Sequence, residues 1–229
     1  MFKDLLNLLL PRNCNACYGA LVSNEKEICT ACRNELPLVT DNQLKRILLK
    51  LDFKKDVIEN NISSLFYFEK NTQVQELLHN LKYRQGYQLG EVIGNWHAAI
   101  MQKSGKFTAI DLVIPIPIHK KRLRDRGYNQ VALYAQTISK QINAEYRDDI
   151  LIKKTHRKSQ VLLNKQQRIN NILDSLSLQN IDYLKGKNIL ILDDIITTGA
   201  TMKACISCFK DNVNSISVGS MALVSLEAD

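Results

Sequence analysis

The chain has 229 residues, 45% of them hydrophobic, and a formal net charge of +8. That length holds one good-sized domain plus a small module, and the apolar fraction is ordinary for a globular protein. The apolar runs fall far short of the roughly 18–20 residues that cross a bilayer, so no membrane-spanning helix is predicted, while clustered cations favour a polyanionic partner.

In chain order, Leu5–Leu10 follows a lysine but is too short and lacks the small-residue cleavage site of a signal peptide. A short amphipathic helix ended by Pro11 is expected instead. Cys14, Cys17, Cys29 and Cys32 form C-x2-C-x11-C-x2-C. Four thiolates so spaced can surround one tetrahedral structural Zn²⁺, with Gly19 supporting a turn after the first pair. The segment is too small to build its own core, so a metal supplies folding energy; disulfides or redox chemistry are the alternatives. Residues 1–40 are read as the zinc module, 41–61 as a linker helix carrying Leu44, Ile47, Leu48 and Leu51, and 62–229 as the main domain.

Within that domain Ser64–Phe68 reads as a strand, and Thr72–Leu81 and Leu89–Met101 as helices, with Trp96 and His97 as packing or surface residues. Asp111–Ile118 reads as a buried strand ending in prolines, followed by a cationic loop, His119–Arg126, with five Lys/Arg against one Asp. Asn129–Asn143 is helical. Lys153–Arg168 carries six Lys/Arg and no acid, and the length and charge of Lys154–Asn171 suit a mobile flap. Both basic stretches have a plainer alternative, a solvated surface. Lys187–Leu192 is a strand, Met202–Asp211 a helix bearing Cys205 and Cys208 as buried free thiols, and Ser215–Leu226 a last strand. Strands alternating with helices predict a parallel α/β sheet whose ligands lie at the strands' carboxyl ends.

The most informative stretch is Ile189–Thr201, ILILDDIITTGAT. Four branched apolar residues form a run suited to a strand buried on both faces. Asp193 and Asp194 follow where that strand is expected to end, and their carboxylates can accept hydrogen bonds from a sugar's paired hydroxyls. Thr197, Thr198, Gly199, Ala200 and Thr201 then open a helix, where hydroxyls and backbone N–H groups can cradle a phosphate. A strand capped by Asp before a Thr-rich helix start is the bland alternative. Neither G-x-x-x-x-G-K-[ST] nor G-x-G-x-x-G occurs in the chain.

This stretch resembles the 5-phosphoribosyl-1-pyrophosphate (PRPP) signature of type I phosphoribosyltransferases. Together with Pro11 and the paired cysteines, Lys82-Tyr83 with Tyr87, the run Pro115, Pro117, Arg122, Arg124, Arg126, Gly127, Tyr128, Asn129, Gln130, and Gln160, Leu163, Arg168 and Asn171, the chain resembles the ComF protein family. Thr155, His156 and Arg157 only approximate the family's Arg/Thr spacing. The resemblance implies an α/β fold of the type I phosphoribosyltransferase kind, a parallel sheet flanked by helices, with a small zinc-ribbon-like module. It implies that Asp193 and Asp194 hold the ribose, that Thr197–Thr201 hold the 5-phosphate, and that Arg126, Gly127, Tyr128, Asn129 and Gln130 face pyrophosphate and Mg²⁺. Arg157, Gln160 and Arg168 would belong to a flap, and an acceptor hood would come from residues 62–105. Two functions follow. One is a PRPP-binding, phosphoribosyltransferase-like protein of DNA uptake, handling single-stranded DNA on the cytoplasmic side through Lys120, Lys121, Arg122 and Arg124, in association with the uptake machinery. The other is a phosphoribosyltransferase of nucleotide salvage with no nucleic-acid role.

Overall fold

The computed structural model describes residues 12–45, 61–83, 86–154 and 165–224, with the backbone alone at 165–168. In chain order the first elements are α1 (Thr30–Glu35), β1 (Ile62–Phe68), α2 (Gln73–Tyr83), α3 (Leu89–Ser104) and β2 (Leu112–Pro115). Next come α4 (Lys120–Arg126), α5 (Ala132–Gln141), β3 (Glu145–Tyr146), β4 (Leu151–Lys153), α6 (Lys165–Asp174) and β5 (Leu176–Leu178). The chain closes with α7 (Ile181–Leu184), β6 (Asn188–Ile196), α8 (Ala200–Phe209) and β7 (Ser215–Val224). Five strands pair in the order β1-β7-β6-β2-β3, every pairing parallel, and β4 and β5 form a separate antiparallel pair.

A strand buried on both faces must be apolar on both, which is why Ile189–Leu192 lacks polar–apolar alternation. Leu190 and Leu192 pack with α2, α3 and α5; Ile189 and Ile191 pack with α8 on the other face. Helix α3 comes so close to α5 that a Cβ on Gly94 would lie 2.8 Å from the Thr137 Cβ. His97 stitches this layer together and is no ligand. Its Nε2 shares a 2.7 Å hydrogen bond with Ser63 Oγ, its Nδ1 a 2.5 Å bond with the Tyr134 hydroxyl, and burial pulls its pKa down to about 3.

Several expectations change. Strand β6 does not end at Leu192. Strand β2 stops opposite it at Pro115, but β7 continues to pair as far as Ile196 with Leu223, so the acidic pair lies within a strand whose β2 side is open. The pleat also slips phase there. Ile195, not Ile196, joins the face of Leu190 and Leu192, and β7 shifts with it, Met221 and Ala222 both packing on that face. The stretch expected to be a cationic loop is helix α4. His119 Nδ1 accepts the Lys121 N–H at its start, and Gly127, with φ of 80°, closes it in the left-handed conformation. Residues 165–171 of the expected flap lie in α6, while Arg157 and Gln160 lie outside the described residues, as do the expected N-terminal helix and positions 47, 48 and 51 of the linker helix. That linker does begin as a helix, at residues 41–45, through a reciprocal cap between Thr40 and Gln43. β1, placed in the expected hood, is an edge strand of the main sheet.

Candidate functional site

The cysteine segment brings a turn carrying Cys14 and Cys17 against the start of α1, which Cys29 caps and where Cys32 lies. The sulfurs of Cys14, Cys17, Cys29 and Cys32 all lie within 4.8 Å of one another. A Zn–S bond of about 2.3 Å sets tetrahedral sulfurs about 3.8 Å apart, and Cys17 Sγ and Cys29 Sγ are separated by 3.8 Å. Backbone N–H groups of Ala16 and Cys29 point at Cys14 Sγ (3.4 and 3.3 Å), and that of Gly19 at Cys17 Sγ (3.4 Å), as thiolate ligands require. The donor set therefore fits a structural zinc. The tight turn after the first pair is made by Tyr18, with φ of 62°, rather than by Gly19.

The ribbon is not freestanding. Cys14, Ala16, Ile28, Cys32 and Leu36 belong to the same buried cluster as Leu65, Phe66, Leu77 and Leu81. Asn80 Nδ2 donates to the Asn15 carbonyl (2.8 Å), the Tyr18 hydroxyl meets Glu76, and the Val39 N–H reaches the Leu65 carbonyl (2.9 Å). Helix α2 therefore carries the ribbon near Glu76 and Asn80, and its last turn reaches the sheet's carboxyl edge.

At that edge the acidic pair meets α2 and the loop before α5. Lys82 Nζ lies 2.6 Å from Asp194 Oδ2, and Gln130 Nε2 donates to the same oxygen at 3.4 Å. Gln130 Oε1 accepts from Arg126 Nη1 (2.7 Å), while Arg126 Nη2 donates to the Tyr83 hydroxyl (3.3 Å) with the guanidinium over the Tyr83 ring. The Tyr128 hydroxyl donates to the Leu81 carbonyl (2.5 Å), its ring packs on Tyr87, and burial raises its pKa. Asn129 fastens the loop to β2, donating to the Ile116 carbonyl (3.0 Å). The Arg126–Gln130 stretch and the acidic pair of β6 thus meet at one sheet edge.

The two carboxylates also order the backbone: Asp193 Oδ1 accepts the Asp194 N–H (2.8 Å) and Asp194 Oδ1 the Ile195 N–H (2.9 Å). Asp193 is half-buried, and its pKa is pushed well above the usual carboxylate range, chiefly by desolvation and then by the charge of Asp194. Beyond it Gly199, with φ of 73°, caps α8, whose first N–H groups lack acceptors within the helix; Thr197 and Thr198 are exposed, Ala200 is buried and Thr201 partly so. Lys153, at the end of β4, feels the charges of Asp193 and Arg122, and burial lowers its pKa. Cys205 is fully buried, which pushes its thiol pKa up, and Cys208 is partly buried.

A cleft of about 430 Å³ opens beside the pair, lined by Lys82, Tyr83, Arg122, Asp125, Arg126 and Tyr128. Lys120, Lys121 and Arg124 are exposed on α4 outside that lining. Sequence reading left Lys82, Tyr83 and Lys153 out of the site. The signal for the first two was present, since Lys82, Tyr83 and Tyr87 each touch an acidic or loop residue of the site.

Among the described residues no helix is long and apolar enough to cross a membrane. The family profile described as "Phosphoribosyl transferase domain" matches residues 132–229, and that described as "Double zinc ribbon domain" matches residues 5–43. The chain is 21% identical to Competence protein ComFC of Bacillus subtilis over 219 residues, 89% of this chain and 86% of that protein. It is 29% identical to Competence protein F of Haemophilus influenzae over 93 residues, 40% of this chain and 41% of that one. Among solved structures, glutamine PRPP amidotransferase from B. subtilis matches with a TM-score of 0.43 and 16% identity, over 62% of this chain and 30% of that one. The all-parallel sheet flanked by helices, the four-cysteine ribbon docked on it, the two profile matches and the similarity to ComFC support the ComF family, a type I phosphoribosyltransferase fold with an N-terminal zinc ribbon.

Proposed function

We propose that the chain binds PRPP with Mg²⁺ at the β6 edge and acts as a phosphoribosyltransferase-like protein in DNA uptake. The observation that carries the PRPP reading is the convergence of an acidic pair, a Thr/Gly helix start and an arginine-lined cleft on one sheet edge. Asp193 and Asp194 would accept from the ribose hydroxyls. Thr197, Thr198, Gly199, Ala200 and Thr201 would hold the 5-phosphate. Arg126 and the loop through Gly127, Tyr128, Asn129 and Gln130 would face the pyrophosphate. Mg²⁺ takes oxygen ligands and offsets pyrophosphate charge; Asp125 in the cleft lining offers such an oxygen beside those of the ligand.

In the transfer a nucleophile, typically a nitrogen, forms a bond to ribose C1 while the C1–oxygen bond to pyrophosphate breaks. Charge leaves with the pyrophosphate, so cations fixed beside it favour the transition state. Arg126, held by Gln130 and Tyr83, is such a cation; Arg122 lines the same cleft, and Lys153 feels the charges of Arg122 and Asp193. Arg157, Gln160 and Arg168 would close the site against water.

The competence names of two relatives and the exposed cations of α4 support a role with single-stranded DNA on the cytoplasmic side, beside the uptake machinery. A second reading, nucleotide salvage without nucleic acid, is favoured by Arg122 and Arg126 lining the small-molecule cleft itself. Pyrophosphate release from PRPP with candidate acceptors, measured beside oligonucleotide anisotropy at two salt concentrations, separates them. PRPP binding with oligonucleotide binding supports the first; turnover with no oligonucleotide binding at low salt leaves the second. Absence of calorimetric heat with PRPP and Mg²⁺ would overturn both.

A further inference from the structure

A second cleft, of about 410 Å³, lies where the zinc ribbon meets α3. It touches none of the residues lining the PRPP cleft. Its floor is Trp96, half-buried, with its ring against the edge of Phe66 (centroids 5.3 Å apart, planes at 84°). Arg33 of α1 lies over the Trp96 ring, its guanidinium carbon 5.2 Å from the centroid, and is exposed. Lys26 and Glu25 come from the loop between the cysteine pairs, and Ala99 from the exposed side of α3. The Glu25 carboxylate is already committed to ribbon backbone, accepting the Val22 N–H at 3.0 Å and the Thr30 N–H at 2.6 Å. Lys26 and Arg33 stand against that one carboxylate, so the lining keeps one net positive charge.

We propose that this cleft takes one nucleotide, its base stacked on the Trp96–Arg33 pair and its phosphate met by Lys26. A guanidinium held over an indole offers a base a cation and an aromatic face together, and a base stacks there without reading sequence. The volume falls in the range of small-ligand sites. The net positive charge of the lining favours an anion, so an uncharged aromatic molecule would satisfy only half of the site. Nucleotides come from two sources, a single strand or the free pool. The strand source rests on the nucleic-acid part of the function proposed above; the cleft itself does not.

Trp96 is the one tryptophan of the chain, so its emission reports on this cleft alone. Full-length protein is titrated with an oligothymidylate and, separately, with adenosine monophosphate, following both Trp96 fluorescence and, for the labelled oligonucleotide, anisotropy. The expected result is saturable quenching by the oligonucleotide that follows its anisotropy. Arg33→Ala removes a stacking plane from an exposed position and should weaken binding about tenfold. Ala99→Glu puts a like charge beside the phosphate and should abolish the quenching. Lys26→Ala should lower the salt slope by about 0.7, one phosphate contact on a single strand. Oligonucleotide binding by anisotropy, with Trp96 emission unchanged and Arg33→Ala and Ala99→Glu at wild-type affinity, overturns the cleft and leaves the DNA reading intact. Quenching by adenosine monophosphate alone, lost in Ala99→Glu, supports the cleft with a free nucleotide as its ligand and overturns the strand source. No response to either ligand overturns the whole inference.

Discussion

Lys82 Nζ lies 2.6 Å from Asp194 Oδ2, with the Lys82 side chain 23% exposed and that of Asp194 only 8%. A buried carboxylate stripped of its cation is left uncompensated. Lys82→Met should therefore destabilise the fold by about 2 kcal/mol, discounted for the lysine's partial exposure. Urea unfolding measures it, and an unchanged midpoint would show that water and the remaining hydrogen bonds solvate Asp194 as well as Lys82 does.

Asp193→Asn with Asp194→Asn removes the charged acceptors proposed for the ribose. Charge-assisted hydrogen bonds contribute about 1.5–3 kcal/mol each, so PRPP affinity should fall at least about tenfold. Calorimetry in the presence of Mg²⁺ reads this directly. Equal affinity for wild type and the double variant would move the ribose elsewhere.

Asp193 makes a separate prediction about pH. Its folded pKa is raised by desolvation and by Asp194, so between the unfolded value and that raised value the native state holds a proton the unfolded chain has lost. The stability linked to this proton is present below the unfolded carboxylate range, near pH 4, and is lost as pH rises through the folded pKa. Asp193→Asn should consequently raise Tm at pH 7.5, a gain that narrows toward pH 4, even though it harms ligand binding. A Tm difference independent of pH would contradict the raised value.

Metal analysis should give about one zinc per chain, the stoichiometry of four thiolates. Cys14→Ser with Cys29→Ser should remove it. Because Asn15 and Tyr18 are anchored to Asn80 and Glu76 of α2, chelation should also lower Tm of the whole chain in a single transition. Zinc content unchanged in the double variant would end the assignment.

The exposed cations of α4 predict strongly salt-dependent binding to single strands, with a slope near −0.7 per contacted phosphate. Replacing Lys120, Lys121 and Arg122 by Ala should flatten that slope by about 2 if all three touch phosphates. PRPP should compete, since Arg122 also lines the PRPP cleft. Anisotropy with a labelled oligonucleotide checks both effects.

The parallel strands were legible because burial on both faces demands uninterrupted branched apolar runs, as in Ile189–Leu192. The thiol spacing and the helix start at Gly199 were legible for similarly local reasons. What sequence missed depends on neighbours. Where β6 ends is decided by β7 on one side and β2 on the other, not by its own carboxylates. Helix α4 reads as a loop because five cations leave it no apolar face; it is held by its caps, and none of its residues is buried. The partnership of Lys82 with Asp194 spans more than a hundred positions, and no local pattern in either segment encodes it.

The ribbon's shared core also bears on how such a chain can be inherited. Ile28 and Leu36 are as buried among Leu65, Phe66 and Leu77 as those residues are among one another. A lineage that lost the cysteines by drift would not simply shed an accessory tag, because the surface beneath it is apolar and one end of α2 would lose its anchor. Ribbon and sheet domain should therefore pass down together, and swapping the ribbon between distant relatives should require compensating changes along α2, at Glu76 and Asn80 first.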